Sequence, residues 1–262
     1  SRPSCRLSCR PPGRPSRRAP FPGLDRALRY LRRLLEALPP FELDVGVHPR
    51  QPVLIWSDAM YVHGTTRGGR RTLREAGGGF VVYFPAEGAR PHRIRFAMDV
   101  KTPTAFLDAL APGKSQYIGQ LELLYAVAPY YSLPDELAGR QVIHFIDNVS
   151  AVAGMLKGHT RALDSGLIIN AFHAFNAGLG ADVWFEYVRS KANIADLPSR
   201  GAIDELWAEF RQLGWTNFAA EVECVLPGIS SWDTNETAQS VAAGVTARRM
   251  AGKRRRHESP TP

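Results

Sequence analysis

The run at residues 141–151, QVIHFIDNVSA, constrains this chain more than any other stretch. Val142, Ile143, Phe145 and Ile146 make the short apolar run of a buried strand. The run ends on an acid, Asp147, and Asn148 and Ser150 then supply side chains suited to leaving a strand and opening a helix. An acid at the carboxyl end of a buried strand sits where open α/β sheets place their ligand sites. Taken alone, Asp147 reads equally well as a helix cap. What decides between the two is whether other acids of the chain occupy equivalent places.

They do. Residues 52–57, PVLIWS, form a second buried-type strand that runs into Asp58. Residues 64–79 then read as a glycine-rich, basic loop carrying Arg67, Arg70, Arg71 and Arg74, either a solvated hairpin tip or a phosphate-contacting loop. No Gly-Lys-Ser/Thr closes it, so it is not a nucleotide-binding Walker loop. Strands at 79–84 and 93–100 follow, giving three consecutive strands that pair antiparallel. Residues 117–130 predict a helix with Ile118, Leu121, Leu124, Tyr125 and Ala128 on one face. Glu122 lies in that apolar setting, and an inward glutamate is costly unless paired, protonated or bound to a metal. After the strand at 141–147 come a short helix at 148–156, a longer one at 164–178 and a fifth strand at 181–188. Residues 190–200, SKANIADLPSR, form a loop and a short helix that carries Asp196. A last helix sets Leu206, Trp207, Phe210 and Leu213 on one side.

The charge of +8 over 262 residues suggests nucleic acid, but it is concentrated at the ends. Residues 1–20 hold six arginines and no acid, and residues 246–262 hold six Lys or Arg against Glu258, which leaves the chain between them at −3. Net charge is therefore weak evidence about the folded part. Residues 1–23 read as a disordered basic linker, and 229–262 as a disordered basic tail whose KRRRH run at 253–257 suits a nuclear signal or a nucleic-acid patch. Between them lie a connecting helix and lead-in at 24–49, a main domain at 50–200 and a C-terminal helical extension at 201–228. The connecting helix bears Leu24, Leu28, Leu31, Leu35 and Leu38, a stripe to pack on the following domain by default or on a missing upstream one, among Arg26, Arg29, Arg32 and Arg33. Cys5, Cys9 and Cys224 form no paired motif, which points to a reduced intracellular setting, nuclear or cytoplasmic. No apolar run is long enough for a membrane helix. The absence of an initiator Met is read as a fragment of a longer polypeptide.

Asp58 on the first strand, Glu122 on the first long helix, Asp147 on the fourth strand and Asp196 on the last short helix are expected at one end of a mixed sheet, with the first and fourth strands as neighbours. Four converging carboxylates need cations to stay ionised, and hard oxygen ligands suit Mg²⁺ or Mn²⁺. WSDA at Asp58, IGQLELL at Glu122, FIDNVSAV with the downstream LKG at Asp147, and SKANIADLPSR at Asp196 together resemble the ribonuclease H domain of retrotransposon reverse transcriptases. The resemblance covers roughly residues 50–200, with the four acids in family order. The segment at 24–49 resembles the connection from an upstream polymerase domain.

The resemblance implies an α/β fold, a five-stranded mixed sheet of three antiparallel strands and then a βαβ unit, flanked by helices. It implies a two-metal hydrolase cutting the RNA strand of an RNA–DNA hybrid. Asp58 would bridge both ions, Asp196 would hold the ion on the attacking-water side, and Glu122 and Asp147 the ion on the leaving-group side. Asn148, Ser150, Arg67, Arg70 and Arg71 are candidate substrate contacts. Many relatives carry a histidine about ten residues before the last aspartate, and this chain has none there. The alternative is a catalytically silent module of the same fold that binds or tethers nucleic acid. An integrase or transposase site would run Asp–Asp–Glu, and a polymerase would need an aromatic-x-Asp-Asp pair that these residues lack.

Overall fold

The computed structural model describes residues 28–29, 31–32, 36, 50–62, 66–67, 70–71, 75–99, 101–110 and 117–228, with the backbone alone at 66, 67, 70, 71, 75, 104 and 109. The expected linker at 1–23, the tail at 229–262 with its KRRRH run, Arg74, Cys5 and Cys9 lie outside the described residues. Among those described, Cys224 is a free thiol, and no helix is long and apolar enough to cross a membrane.

The β-rich first half forms an antiparallel meander of β1 (Val53–Val62), β4 (Glu75–Phe84) and β5 (Arg93–Asp99). Between β1 and β4 the short β2 (Thr66–Arg67) and β3 (Arg70–Arg71) pair as a separate hairpin. Helix α1 (Thr104–Ala109) and the long α2 (Ile118–Ser132), with the short α3 (Pro134–Leu137) after it, cross back to β6 (Gln141–Ile146), which pairs parallel to β1. Helices α4 (Val149–Lys157) and α5 (Leu163–Leu179) then lead to β7 (Asp182–Tyr187), parallel to β6. These elements give the expected mixed α/β sheet, three antiparallel strands and then parallel strands joined through helices.

The extension at 201–228 carries its expected helix and a short strand besides. After α6 (Asp196–Ser199) and α7 (Ile203–Gln212), the chain adds β8 (Ala219–Glu221) parallel to β5, so the order is β7-β6-β1-β4-β5-β8. The outer edge of β5 would otherwise present open backbone groups, and three returning residues cover part of it.

Alternation along the strands builds two cores from opposite faces of the same sheet. Val53 and Ile55 of β1 and Phe80, Val82 and Phe84 of β4 face one way, against Leu121, Leu124 and Tyr125 of α2 and Ile168 and Phe172 of α5. Val81 of β4 and Ile94 and Phe96 of β5 meet Leu206 and Phe210 of α7 in a second cluster. Leu213, expected beside them, is 44% exposed because α7 has already ended.

Helix α2 departs from the one-faced pattern expected of it: every residue from Gln120 to Tyr130 is buried. It lies between the sheet and helices α4 and α5, so no side of it faces water. The connecting helix is helical at its described positions, and its Leu28 and Leu31 are 56% and 49% exposed, so these two are not packed on the folded domain. The glycines at 77–79, read as part of a loop, belong to β4.

Candidate metal centre

The parallel ladder between β1 and β6 ends at Ser57↔Ile146, whereas the antiparallel ladder between β1 and β4 continues to Val62↔Glu75. Asp58 is thus inside β1 and does not end it, a correction to the sequence reading. What stops there is only the pairing with β6. One residue past that pairing on each chain, Asp58 and Asp147 emerge as neighbours, as the expected adjacency of the first and fourth strands requires. Glu122, from the buried stretch of α2, joins them: the three residues offer carboxylate oxygens that all lie within 4.8 Å of one another.

Asp58 and Glu122 are almost fully buried, at 6% and 5% exposure. Burial pushes the Asp58 carboxyl up to about 7; the Ser199 hydroxyl opposes this by favouring the anion, and the charges of Asp147 and Asp196 add to the rise. Burial likewise pushes Glu122 up to about 9, with the charges of Asp58 and Asp147 behind it. Oε2 of Glu122 is buried with no hydrogen-bond partner among the described residues. A buried carboxylate oxygen without a protein donor, beside two more carboxylates, fits a hard divalent cation such as Mg²⁺ or Mn²⁺.

Asp196 stands apart from that group of three. It opens α6, and Arg200, one turn on, holds its carboxylate with two donors: Nε to Oδ1 at 2.9 Å and a terminal nitrogen to Oδ2. The segment carrying it is nonetheless fixed against the site. Asn193 donates from Nδ2 to the Ser57 carbonyl at 3.0 Å, and its own Oδ1 accepts from the Ala195 amide at 3.2 Å. Ser199 is fully buried and donates its hydroxyl to Asp58 Oδ2. Pro198 seats over Gly79, the ladder partner of Asp58; a Cβ there would come within 2.9 Å of Pro198 and 2.8 Å of the Ala97 carbonyl. Glycine at 79 is what admits α6.

Beneath the site runs a polar chain that sequence reasoning missed. His144 on β6 contacts the Ser57 hydroxyl through Nε2 at 2.9 Å and the Tyr130 hydroxyl through Nδ1 at 3.1 Å. Complete burial lowers His144 to about 3, so it is neutral at all ordinary pH. Only its place two residues before Ile146 in an otherwise apolar strand could have flagged it. Asn193, Ser199 and Arg200 were within the SKANIADLPSR motif, but their separate duties appear only in three dimensions.

The other candidates divide. Asn148 accepts at Oδ1 from the amides of Ser150 and Ala151 at 3.0 and 3.1 Å, the N-cap of α4, so that oxygen is committed to the helix. Ser150 is exposed on the first turn of α4. Arg67 and Arg70 are cross-strand partners in the β2–β3 hairpin with Arg71 beside them, and their side chains lie outside the described residues. The turn after β7, Ser190–Ala192, contains no histidine. His173 on α5 instead contacts the Met155 carbonyl at 3.1 Å, a packing role.

No protein-family model matches the chain, and no curated protein matches it significantly. Among solved structures it is similar to LC9-RNase H1, a type 1 RNase H with the type 2 active-site motif, at 16% identity and a TM-score of 0.39 over 74% of this chain and 87% of that one. It is also similar to the N-terminal RNase H domain of rv2228c from Mycobacterium tuberculosis, solved as a fusion with maltose binding protein, at 17% identity and a TM-score of 0.33 over 60% of this chain and 96% of that one.

Proposed function

We propose that this protein is a divalent-metal-dependent endonuclease that hydrolyses the RNA strand of RNA–DNA hybrids, as the ribonuclease H part of a retrotransposon reverse transcriptase. The observation that carries the reading is the convergence of Asp58, Glu122 and Asp147 within 4.8 Å at one end of a ribonuclease H-like sheet. Asp58, Glu122 and Asp147 would hold the cations, with Asp196 completing the set. Two Mg²⁺ ions bound there, or Mn²⁺, would supply activation of the attacking water and stabilisation of the departing 3′-oxygen. The protein's own contribution is placement: Ser199 orients Asp58, Asn193 ties the Asp196 segment to β1, and the burial of Asp58 and Glu122 keeps bulk water away from them.

In this proposal the unit at 50–200, extended by 201–228, is the nuclease. The segment at 24–49 joins it to an upstream polymerase domain, and the basic ends at 1–23 and 229–262 add phosphate contacts, with a nuclear signal at 253–257. The duplex is read by shape, phosphates and 2′-hydroxyls. The test is a labelled RNA–DNA hybrid incubated with purified protein and Mg²⁺. Cleavage of the RNA strand is expected, and Asp147→Asn should abolish it with the circular dichroism spectrum unchanged. An active Asp147→Asn protein would overturn the site assignment. Hybrid binding without cleavage by the wild type would identify a silent binding module.

A further inference from the structure

Among the described residues, Asp196 has both of its carboxylate oxygens held by Arg200. Its backbone is fixed by three anchors: Asn193 on the Ser57 carbonyl, Ser199 on Asp58, and Pro198 on Gly79. Only its side chain is committed elsewhere, to both nitrogens offered by Arg200. The pair is open to water, with side-chain exposures of 62% for Arg200 and 28% for Asp196, so parting it requires rotation of one flexible arginine and no movement of α6. Asp196 is nonetheless near enough for its charge to raise Asp58.

We infer that Arg200 is an exchangeable counter-ion: it holds Asp196 while the site lacks cations, surrenders it when a divalent cation arrives, and turns the freed guanidinium to a phosphate of the bound nucleic acid. Two facts favour exchange over a static surface bridge. A divalent cation drawn in by Asp58, Glu122 and Asp147 repels a guanidinium at the rim and attracts the Asp196 carboxylate in its place. The planar fork that grips a carboxylate with two donors grips a phosphate in the same way, so the released group has an acceptor once a duplex is present. Arg200 is then a positioning residue for Asp196 in the ion-free protein and a substrate contact in the loaded one.

The inference rests on the proposed metal centre, and the experiment separates the two. Mn²⁺ is titrated calorimetrically into wild type, Arg200→Ala and Arg200→Lys, without nucleic acid. Removal of the competing cation should tighten Mn²⁺ binding by about two- to fivefold, the effect an exposed ion pair supports, with Arg200→Lys falling between. Binding of a non-cleavable hybrid in Ca²⁺ should move the opposite way: weaker in Arg200→Ala, with the slope of log affinity against log salt reduced by about one charge. Equal Mn²⁺ affinity in wild type and Arg200→Ala, or an unchanged hybrid salt slope, overturns the exchange and leaves the metal centre standing. No Mn²⁺ binding by the wild type overturns the metal centre and the exchange with it.

Discussion

Glu122 shows at the scale of one residue what the acid cluster costs when it holds no cation. Its carboxyl is buried in α2, is pushed up to about 9 by burial and by the charges of Asp58 and Asp147, and has an oxygen with no donor among the described residues. The sign of the pH effect follows from linkage. A carboxyl raised in the folded state binds more protons there than in the unfolded chain, so ion-free stability is highest below the unfolded value near 4 and falls as pH rises toward about 7 for Asp58 and about 9 for Glu122. Thermal unfolding in chelator should therefore give a melting temperature that declines from pH 5 to pH 9. Glu122→Gln should flatten much of that decline and gain about 1–3 kcal/mol at the alkaline end, about 2–4 °C for each. A wild-type melting temperature independent of pH in that range would refute the burial argument. Mn²⁺ should reverse the trend, raising the melting temperature most at high pH, because metal displaces protons from these carboxyls. Ser199 acts in the opposite direction on Asp58, since its hydroxyl favours the anion. Ser199→Ala should move the acid limb of the cleavage profile to higher pH; an unmoved limb would mean that Ser199 serves only packing.

At the scale of elements, the position of α6 depends on Gly79 and Asn193. A methyl group at 79 would meet the Ala97 carbonyl at 2.8 Å on one side and Pro198 at 2.9 Å on the other, and the backbone atoms among these cannot yield as a flexible side chain would. Gly79→Ala should cost about 1–3 kcal/mol by overpacking. It should also weaken cleavage more than stability alone explains, because the displaced element carries Asp196 and Ser199. Denaturant unfolding and cleavage, measured on the same preparation, separate the two effects. Asn193→Ala should give the milder form of the same defect, losing the tie to Ser57. The sequence reading placed these elements well but misjudged their ends and faces, and the reasons are physical. A strand paired on two sides has two different endings, so Asp58 could look terminal while β1 continued along β4. Glycines at 77–79 looked like a loop because composition does not reveal that Tyr125 and Pro198 take up the space of the missing side chains at 78 and 79. Periodicity gave α2 one apolar face, whereas its burial on all sides depends on helices far along the chain.

At the scale of the whole molecule, legibility follows the range of the interaction. The order of strands and helices and the three acids that converge are written in local apolar runs. The β8 edge strand and the Tyr130–His144–Ser57 chain come from contacts that local patterning does not encode. Charge is the property that belongs to the molecule and to no element within it. The two ends carry +6 and +5 and the chain between them −3, so long-range attraction to a polyanion would come from the ends, whereas the carboxylate cluster lies in the acidic middle. A protein lacking residues 1–20 and 246–262 should bind an RNA–DNA hybrid more weakly at low salt and with a shallower dependence of log affinity on log salt, since every phosphate that is no longer neutralised takes away close to one unit of slope. Cleavage at saturating hybrid should be retained, because Asp58, Glu122, Asp147 and Asp196 and the elements that hold them are intact. The decisive measurement is the salt slope of the full chain beside that of the trimmed one, with single-turnover cleavage on both. An identical slope would move the phosphate contacts to the folded domain, with the β2–β3 hairpin and its Arg67, Arg70 and Arg71 as the first place to look.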